Sequence, residues 1–348
     1  MNLTEISLVN VRKLEFFKAH FSPTTTIITG NNGQGKTSIL ESIFFLLTTK
    51  SFRKKYNKSI IKKNENRLQI KGLLKLDEEE EIIKINYDSR KKEIEKNGTK
   101  VKKTSEILKY SNVVSMSPEE PDVVEIYRKE KLQYFDKIIF KITPSYIKII
   151  RSYNKLLLIR NALLETGQET GQWDKKLIET GTLVWSERKS FFNHFIEKFK
   201  SVEKDIIGKK KYFLEYINTI PENENQYFAK LQNRKEKQTL VGPHIDKINF
   251  YLNEKNLQES GSQGEKKLFK YMLKLTEAEI IKEKKQTLPI LLLDDFFAKL
   301  DDKNIMKIFN FFHRKFQTII TTTKTNNTMM EERLKNPKTS IKIIELND

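Results

Sequence analysis

The chain has 348 residues, enough for about two domains and a sizeable core, and its 12 Gly and 8 Pro are too few for a disordered or fibrous class. Lys and Arg number 65 against 46 Asp and Glu; this net charge of +19, carried by 54 Lys and 11 Arg, leaves two explanations open, a polyanionic partner or the coding bias of an AT-rich genome. There is no cysteine, which excludes disulfide scaffolds, thiolate zinc sites and cysteine nucleophiles, and no apolar run approaches the roughly 18 residues of a membrane span, so the expectation is a cytoplasmic protein.

The pattern predicts a short strand over Leu3–Val9, a connection through Arg12, and a second strand over Thr25–Thr29 that runs into Gly30. A helix from Lys36 to about Leu47 follows, with Ile39, Leu40, Ile43, Phe44 and Leu47 at helical spacing. Between Arg67 and Tyr87 the period becomes two. Leu68, Ile70, Leu74 and Leu76 share one face, and Ile83, Ile85 and Tyr87 repeat it after an acidic turn at Asp77 to Glu81, a β-hairpin signal. Asn97-Gly98 marks a turn, and Val113 and Val114 a short strand before Pro118. From Asp122 to about Lys211 the period is helical. Thr143-Pro144 predicts the start of a helix through Tyr146, Ile150, Tyr153, Leu157 and Asn161, and a loop at Thr166 to Gln172 separates it from a second through Trp173 to Lys200. Two antiparallel helices in mid-chain predict an inserted helical domain. Strands are expected near Gln238 to Val241 and Lys247 to Leu252, a helix over about Gln263 to Lys285, and a buried central strand in LPILLL, Leu288 to Leu293.

Three motifs carry chemistry. GNNGQGKTS, made of Gly30, Asn31, Asn32, Gly33, Gln34, Gly35, Lys36, Thr37 and Ser38, fits the phosphate loop G-x-x-x-x-G-K-[ST] between a strand and a helix. Its glycines let backbone amides approach phosphates, Lys36 reaches the β and γ phosphates, and Thr37 is placed to ligate Mg²⁺. LPILLLDD ends a buried strand in Asp294, a second candidate Mg²⁺ ligand, and Asp295, a candidate to orient or deprotonate a water; with Lys36 this makes the candidate catalytic pair. SGSQGEKK opens a helix with Ser262 and Gly264, either an oxyanion cradle or an ordinary helix cap. His244 stands in a GPH turn, where a structural role competes with catalysis. The clusters Lys54-Lys55, Lys62-Lys63, Lys91-Lys92, Lys102-Lys103 and Lys209 to Lys211 are candidate phosphate contacts or solvated faces.

Phosphate loop, Ser-x-Gly helix and acidic strand end resemble the ABC-type ATPases. The finer strings LVNVRKL, SFR at Ser51 to Arg53, MSPEE at Met116 to Glu120, YNKLLLIRNALL at Tyr153 to Leu164, VGPH, SQG, LKLTEAE, LLLDD and ITTT at Ile320 to Thr323 resemble the RecF family over essentially the whole chain. The resemblance implies an α/β fold, an ABC-type (SMC-like) P-loop ATPase head with an antiparallel β subdomain. Residues 1–120 and 238–348 form the head, and 121–237 an inserted helical arm domain. It also implies ATP and Mg²⁺ as cofactors, an ATP-dependent homodimer, and a weak, DNA-stimulated ATPase. Binding of gapped or single/double-strand junction DNA and recombinase loading, with RecR and RecO as partners and RecA indirectly, follow from the same source. The chain departs from that family pattern at Glu265-Lys266-Lys267, where two Gln and an Arg are usual, at Ile245-Asp246-Lys247, where Arg-Asp-Asp is usual, and at Glu130 to Gln133, which lacks a basic pair. A small-metabolite kinase and a DNA-binding protein with a vestigial nucleotide site share single features with this reading.

Overall fold

The computed structural model describes residues 1–53, 57–76, 79–88, 90–103, 106–107, 110–207, 211–232, 237–297, 300–313, 315–323 and 341–346. These fall into two units, residues 1–121 with 271–348, and residues 122–270.

In the first unit, β1 (Asn2–Val11) buries Leu3, Ile6, Leu8 and Val11; the spacing departs from two where a bulge between Leu3 and Glu5 inserts a residue. The edge strand β2 (Leu14–His20) pairs with it antiparallel and is absent from the sequence expectation, because adjacent Phe16 and Phe17 break the alternation that marks a strand. β3 (Thr25–Thr29) is buried throughout and leads through the glycine loop into α1 (Lys36–Thr48). The expected hairpin is β4 (Arg67–Leu76) with β5 (Glu79–Asp88), Ile70 opposite Ile85; of its turn, Asp77 and Glu78 lie outside the described residues. β6 (Lys92–Lys96) and β7 (Thr99–Lys100) join through Asn97 and Gly98, both at positive φ. The result is an antiparallel sheet in the order β2-β1-β4-β5-β6-β7, after which β8 (Val113–Met116) begins a second sheet.

The second unit opens with α2 (Arg128–Ile142), α3 (Tyr146–Glu165) and α4 (Gly171–Ile207). At 37 residues α4 is roughly 55 Å long. Helix α3 starts at Tyr146 rather than at Pro144, because Thr143 closes α2, its N–H donating to Ile139 O at 2.7 Å. Helices α3 and α4 are antiparallel, as expected: Arg160 Nε donates to Asp174 Oδ1 at 2.6 Å, and Arg188 Nε to Tyr146 Oη at 3.3 Å. β9 (Tyr212–Ile217), α5 (Glu224–Leu231), β10 (Lys247–Leu252), β11 (Lys255–Asn256) and α6 (Leu257–Ser260) follow. The expected strand over 238–241 is irregular chain, in which Thr239 N–H and Oγ1 both donate to Asn161 Oδ1. Because β10 pairs with β9, residues 238–270 group with this unit, whereas the sequence reading has the head resume at 238. The unit boundary falls inside α7 (Gln263–Lys285).

The first unit resumes with β12 (Ile290–Leu293), α8 (Asp302–Phe312), β13 (Gln317–Thr322) and β14 (Ile341–Glu345). Its second sheet has the order β14-β3-β13-β12-β8, parallel at every pair. Four of these strands are buried along their whole length, as expected of parallel strands covered on both faces. Helix α1 packs on strands of both sheets and so is buried over most of its surface instead of along one stripe. Among the described residues, no helix is long and apolar enough to cross a membrane.

Candidate functional site

Strands β3 and β12 both run parallel to β13, so their C-terminal ends emerge at one edge of the sheet, β3 into Gly30 and β12 into Asp294. The loop turns through Gly33 at φ 86° and Gly35 at φ 99°, the left-handed region that favours glycine. A Cβ on Gly35 would also meet Leu14 Cδ2 at 2.9 Å. The Gln34 amide oxygen accepts from Asn31 N–H and closes the loop from within. Lys36 Nζ lies across it, donating to Gly30 O and Asn31 O, each at 2.8 Å. No N-cap side chain satisfies the first turn of α1, whose amides therefore offer an anion site. Burial depresses the Lys36 ammonium pKa below the ordinary lysine value, with Asp295 and Asp294 opposing.

Thr37 Oγ1 donates to Asp294 Oδ1 at 2.9 Å, joining two motifs 257 residues apart. Asp294 also accepts from Thr321 Oγ1 at 2.6 Å and Ser117 Oγ at 2.8 Å, which holds its carboxylate rigidly. Asp295 has φ 50°, and its N–H donates to Thr321 Oγ1 at 3.0 Å. Lys36, Thr37, Ser38, Asp294 and Asp295 line one cavity of about 390 Å³ together with Asn32, Arg12, Lys13 and Arg53. Around an octahedral Mg²⁺ with ligands at about 2.05 Å, neighbouring oxygens lie about 2.9 Å apart, the edge of the octahedron. The Thr37–Asp294 separation of 2.9 Å fits that edge. Among the described residues no group of three or more His, Asp or Glu could hold a metal, so Thr37 and Asp294 would be the protein's share of such a site. Sequence reasoning assigned no role to Arg12, Arg53, Ser117 or Thr321. They are ordinary residues in short strings, without a spacing that marks them.

Ser262 and Gly264 belong to the second unit. Ser262 N–H and Oγ each donate to Glu265 Oε2 at 2.8 Å, and Glu265 N–H donates back to Ser262 Oγ at 3.3 Å, a capping box at the start of α7. His244 is tied on both ring nitrogens. Its Nε2–H donates to Thr239 O at 2.9 Å, so Nδ1 accepts from Tyr153 Oη at 2.6 Å, and burial depresses its pKa. The turn needs Gly242, at φ 139°, since a Cβ there would collide with Tyr153 Oη. Asp246, fully buried, accepts from Trp185 Nε1 at 3.0 Å, from Thr219 and from Arg188, so this departure-bearing stretch anchors the second unit's core. Of the lysine clusters, Lys62 pairs with Glu15 and Lys91 with Glu93, while Lys92 donates to Thr49 O at 2.6 Å over the Phe45 ring. Lys63, Lys102 and Lys103 are exposed; Lys54, Lys55, Lys209 and Lys210 lie outside the described residues.

A sequence profile of the RecF/RecN/SMC N terminal domain matches residues 2–342. The DNA replication and repair protein RecF of Bacillus thuringiensis (strain Al Hakam) is 30% identical over 97% of this chain and 96% of its own length. A solved structure of the recombination mediator protein RecF with ATP, in the RecFOR pathway, superimposes with a TM-score of 0.78 at 29% identity, covering 92% of each chain. The Smc head domain of Pyrococcus furiosus, at 18% identity and a TM-score of 0.53 over 94% of this chain and 90% of that one, shares the fold. The chain belongs to the RecF/RecN/SMC family as a RecF-type member, with the ABC-type ATPase head fold of that family.

Proposed function

We propose that the chain is an ATP-dependent DNA-binding protein of recombinational repair and replication that dimerises on ATP and hydrolyses it slowly. The observation that carries this reading is the Thr37–Asp294 contact, which puts the phosphate loop and the acidic strand end in one cavity with Lys36. Lys36 exchanges its two carbonyl partners for oxygens of the β and γ phosphates, and the uncapped amides of α1 bind the same chain of phosphates. Thr37 and Asp294 would hold Mg²⁺, which would neutralise charge developing on the phosphates. Asp295 orients the attacking water or takes its proton. Ser262 and Gly264 of a second copy complete the site at the γ phosphate, which makes ATP the link between subunits.

The polyanion is DNA with a gap or a single/double-strand junction, met by the +19 charge, and recombinase loading with RecO and RecR is the role this serves. The names of the relatives, a DNA replication and repair protein and a recombination mediator in the RecFOR pathway, support the same reading. The test is steady-state ATP turnover with and without gapped duplex, with Lys36→Ala as control. Turnover that rises with DNA and vanishes in the variant supports the proposal; turnover indifferent to DNA points to the kinase reading. A salt titration of duplex affinity separates functional charge from coding bias, because phosphate neutralisation imposes a steep fall with salt.

A further inference from the structure

Glu41 lies on α1 five residues after Lys36, is fully shielded from solvent, and takes part in none of the steps above. Its carboxylate gathers three segments. Arg12 Nε donates to Oε2 at 2.9 Å and Nη2 to Oε1 at 2.7 Å, a two-pronged pair. Ser51 Oγ donates to Oε1, and Arg53 Nη1 stands 3.5 Å from Oε2. Arg12 and Arg53 both line the cavity that holds Lys36 and Thr37. The turn bearing Arg12 is bent to deliver it: Asn10 and Arg12 both have φ 55°, and Arg12 N–H and Lys62 N–H bind Ile60 O and Asn10 O at 2.9 Å.

Fold stability does not account for this arrangement. A buried carboxylate gives up its hydration, and apolar pairs of the same volume often hold a core as well. What a carboxylate adds is orientation: two N–H groups of Arg12 on Glu41 fix the plane of the guanidinium, while Arg53 is shared between Glu41, at 3.5 Å, and Glu119, at 3.3 Å. We propose that Glu41 is a positioning residue of the phosphate site, clamping Arg12 to the P-loop helix so that a nucleotide's phosphate oxygens meet a fixed guanidinium group besides Lys36. The inference rests on the nucleotide reading of this cavity.

Charge and geometry make opposite forecasts for Glu41→Gln. Removing a negative charge from behind the cavity-lining arginines would tighten polyanion binding if the field alone mattered; loss of the clamp weakens it. The experiment is calorimetric titration of the full chain with Mg-ATP for the parent, Glu41→Gln, Arg12→Gln and the double variant. Each single substitution is expected to weaken binding about tenfold, and Glu41→Gln to cost at most about threefold more in the Arg12→Gln background, because it acts through that arginine. Unchanged or tighter binding in Glu41→Gln, or effects that multiply to about a hundredfold, overturns the proposal. Should Glu41→Gln not fold, Arg12→Lys at the partly exposed turn decides: it keeps the charge, loses the fork, and is expected to bind as weakly as Arg12→Gln, whereas parental affinity overturns the proposal. A parent that binds no ATP refutes the nucleotide reading itself and takes this proposal with it, an outcome visible before any variant is compared.

Discussion

Asp294→Asn separates what the acidic strand end does for the fold from what it does for a bound ion, since the two effects have different signs. In the folded chain Asp294 is 7% exposed and accepts hydroxyl hydrogen bonds from Thr37, Thr321 and Ser117. Asparagine keeps the size and one acceptor oxygen, and the Ser117 hydroxyl can turn to accept from the new amide. Three charge-assisted bonds become neutral, each weaker by about 1 kcal/mol, for a loss of about 3 kcal/mol. Against this stand the several kcal/mol of desolvation that a buried carboxylate costs and an amide largely avoids. The terms nearly cancel, so the ligand-free variant should melt within about 3 °C of the parent. With Mg-ATP at about a hundred times its Kd, the parent gains about 2.7 kcal/mol. For a unit of roughly 200 residues that is a rise of about 5–10 °C. A tenfold loss of affinity in the variant cuts the gain to about 1.4 kcal/mol, half the shift. Differential scanning calorimetry with Mg-ATP, and again with ATP and a chelator, reads all of this. A variant with the parent's full Mg-ATP shift would refute Asp294 as the metal ligand. A ligand-free midpoint lower by 10 °C or more would show that the hydrogen bonds outweigh desolvation.

Because burial depresses Lys36, and the phosphates bind its protonated form, ATP affinity should fall as pH rises through a value below that of ordinary lysine; Lys36→Arg should flatten this fall in equilibrium titrations. Asp295→Asn should bind ATP but release phosphate about 10²–10⁴-fold more slowly in a single-turnover assay, and normal turnover would move the base elsewhere. Ser262→Arg should keep near-parental ATP affinity and lose ATP-dependent dimerisation by light scattering, whereas Glu265→Gln, which preserves the capping box without its charge, should dimerise at lower protein concentration; a Ser262→Arg protein that dimerises normally would reduce the motif to a helix cap. His244 is held below its ordinary pKa, so the unfolded chain takes up a proton near pH 6.5 that the folded chain resists. Its contribution to stability is present above about pH 6.5 and is lost as pH falls through the depressed folded value, at up to about 1.4 kcal/mol per pH unit. His244→Gln should flatten the thermal midpoint between about pH 7.5 and 5.5, and an unchanged slope would show that other groups set it.

The sequence alone determined the parts of this protein whose physics is local. Gly33 and Gly35 announce a loop of positive φ, Lys36 and Thr37 follow at the spacing a phosphate demands, the period of two from Leu68 to Tyr87 encodes a hairpin, and the continuous apolar run before Asp294 encodes a covered parallel strand. Locally ambiguous pieces stayed hidden: β2 lacks alternation, and β9, whose exposed face carries Phe213 and Ile217 and so shows no alternation either, draws β10 and with it residues 238–270 into the second unit. Tertiary structure decided what depends on strand order and register. Parallel pairing of β8, β12, β13 and β3 brings Ser117, Asp294, Thr321 and Thr37 to one edge, and no spacing along the chain foretells that four such residues meet. Likewise Glu41 reads in sequence as one residue of an amphipathic helix. Only the sandwiching of α1 between two sheets buries it, and only the bent turn after β1 and the chain beyond α1 bring Arg12, Ser51 and Arg53 to its carboxylate, since a buried charge must find partners that local sequence cannot supply.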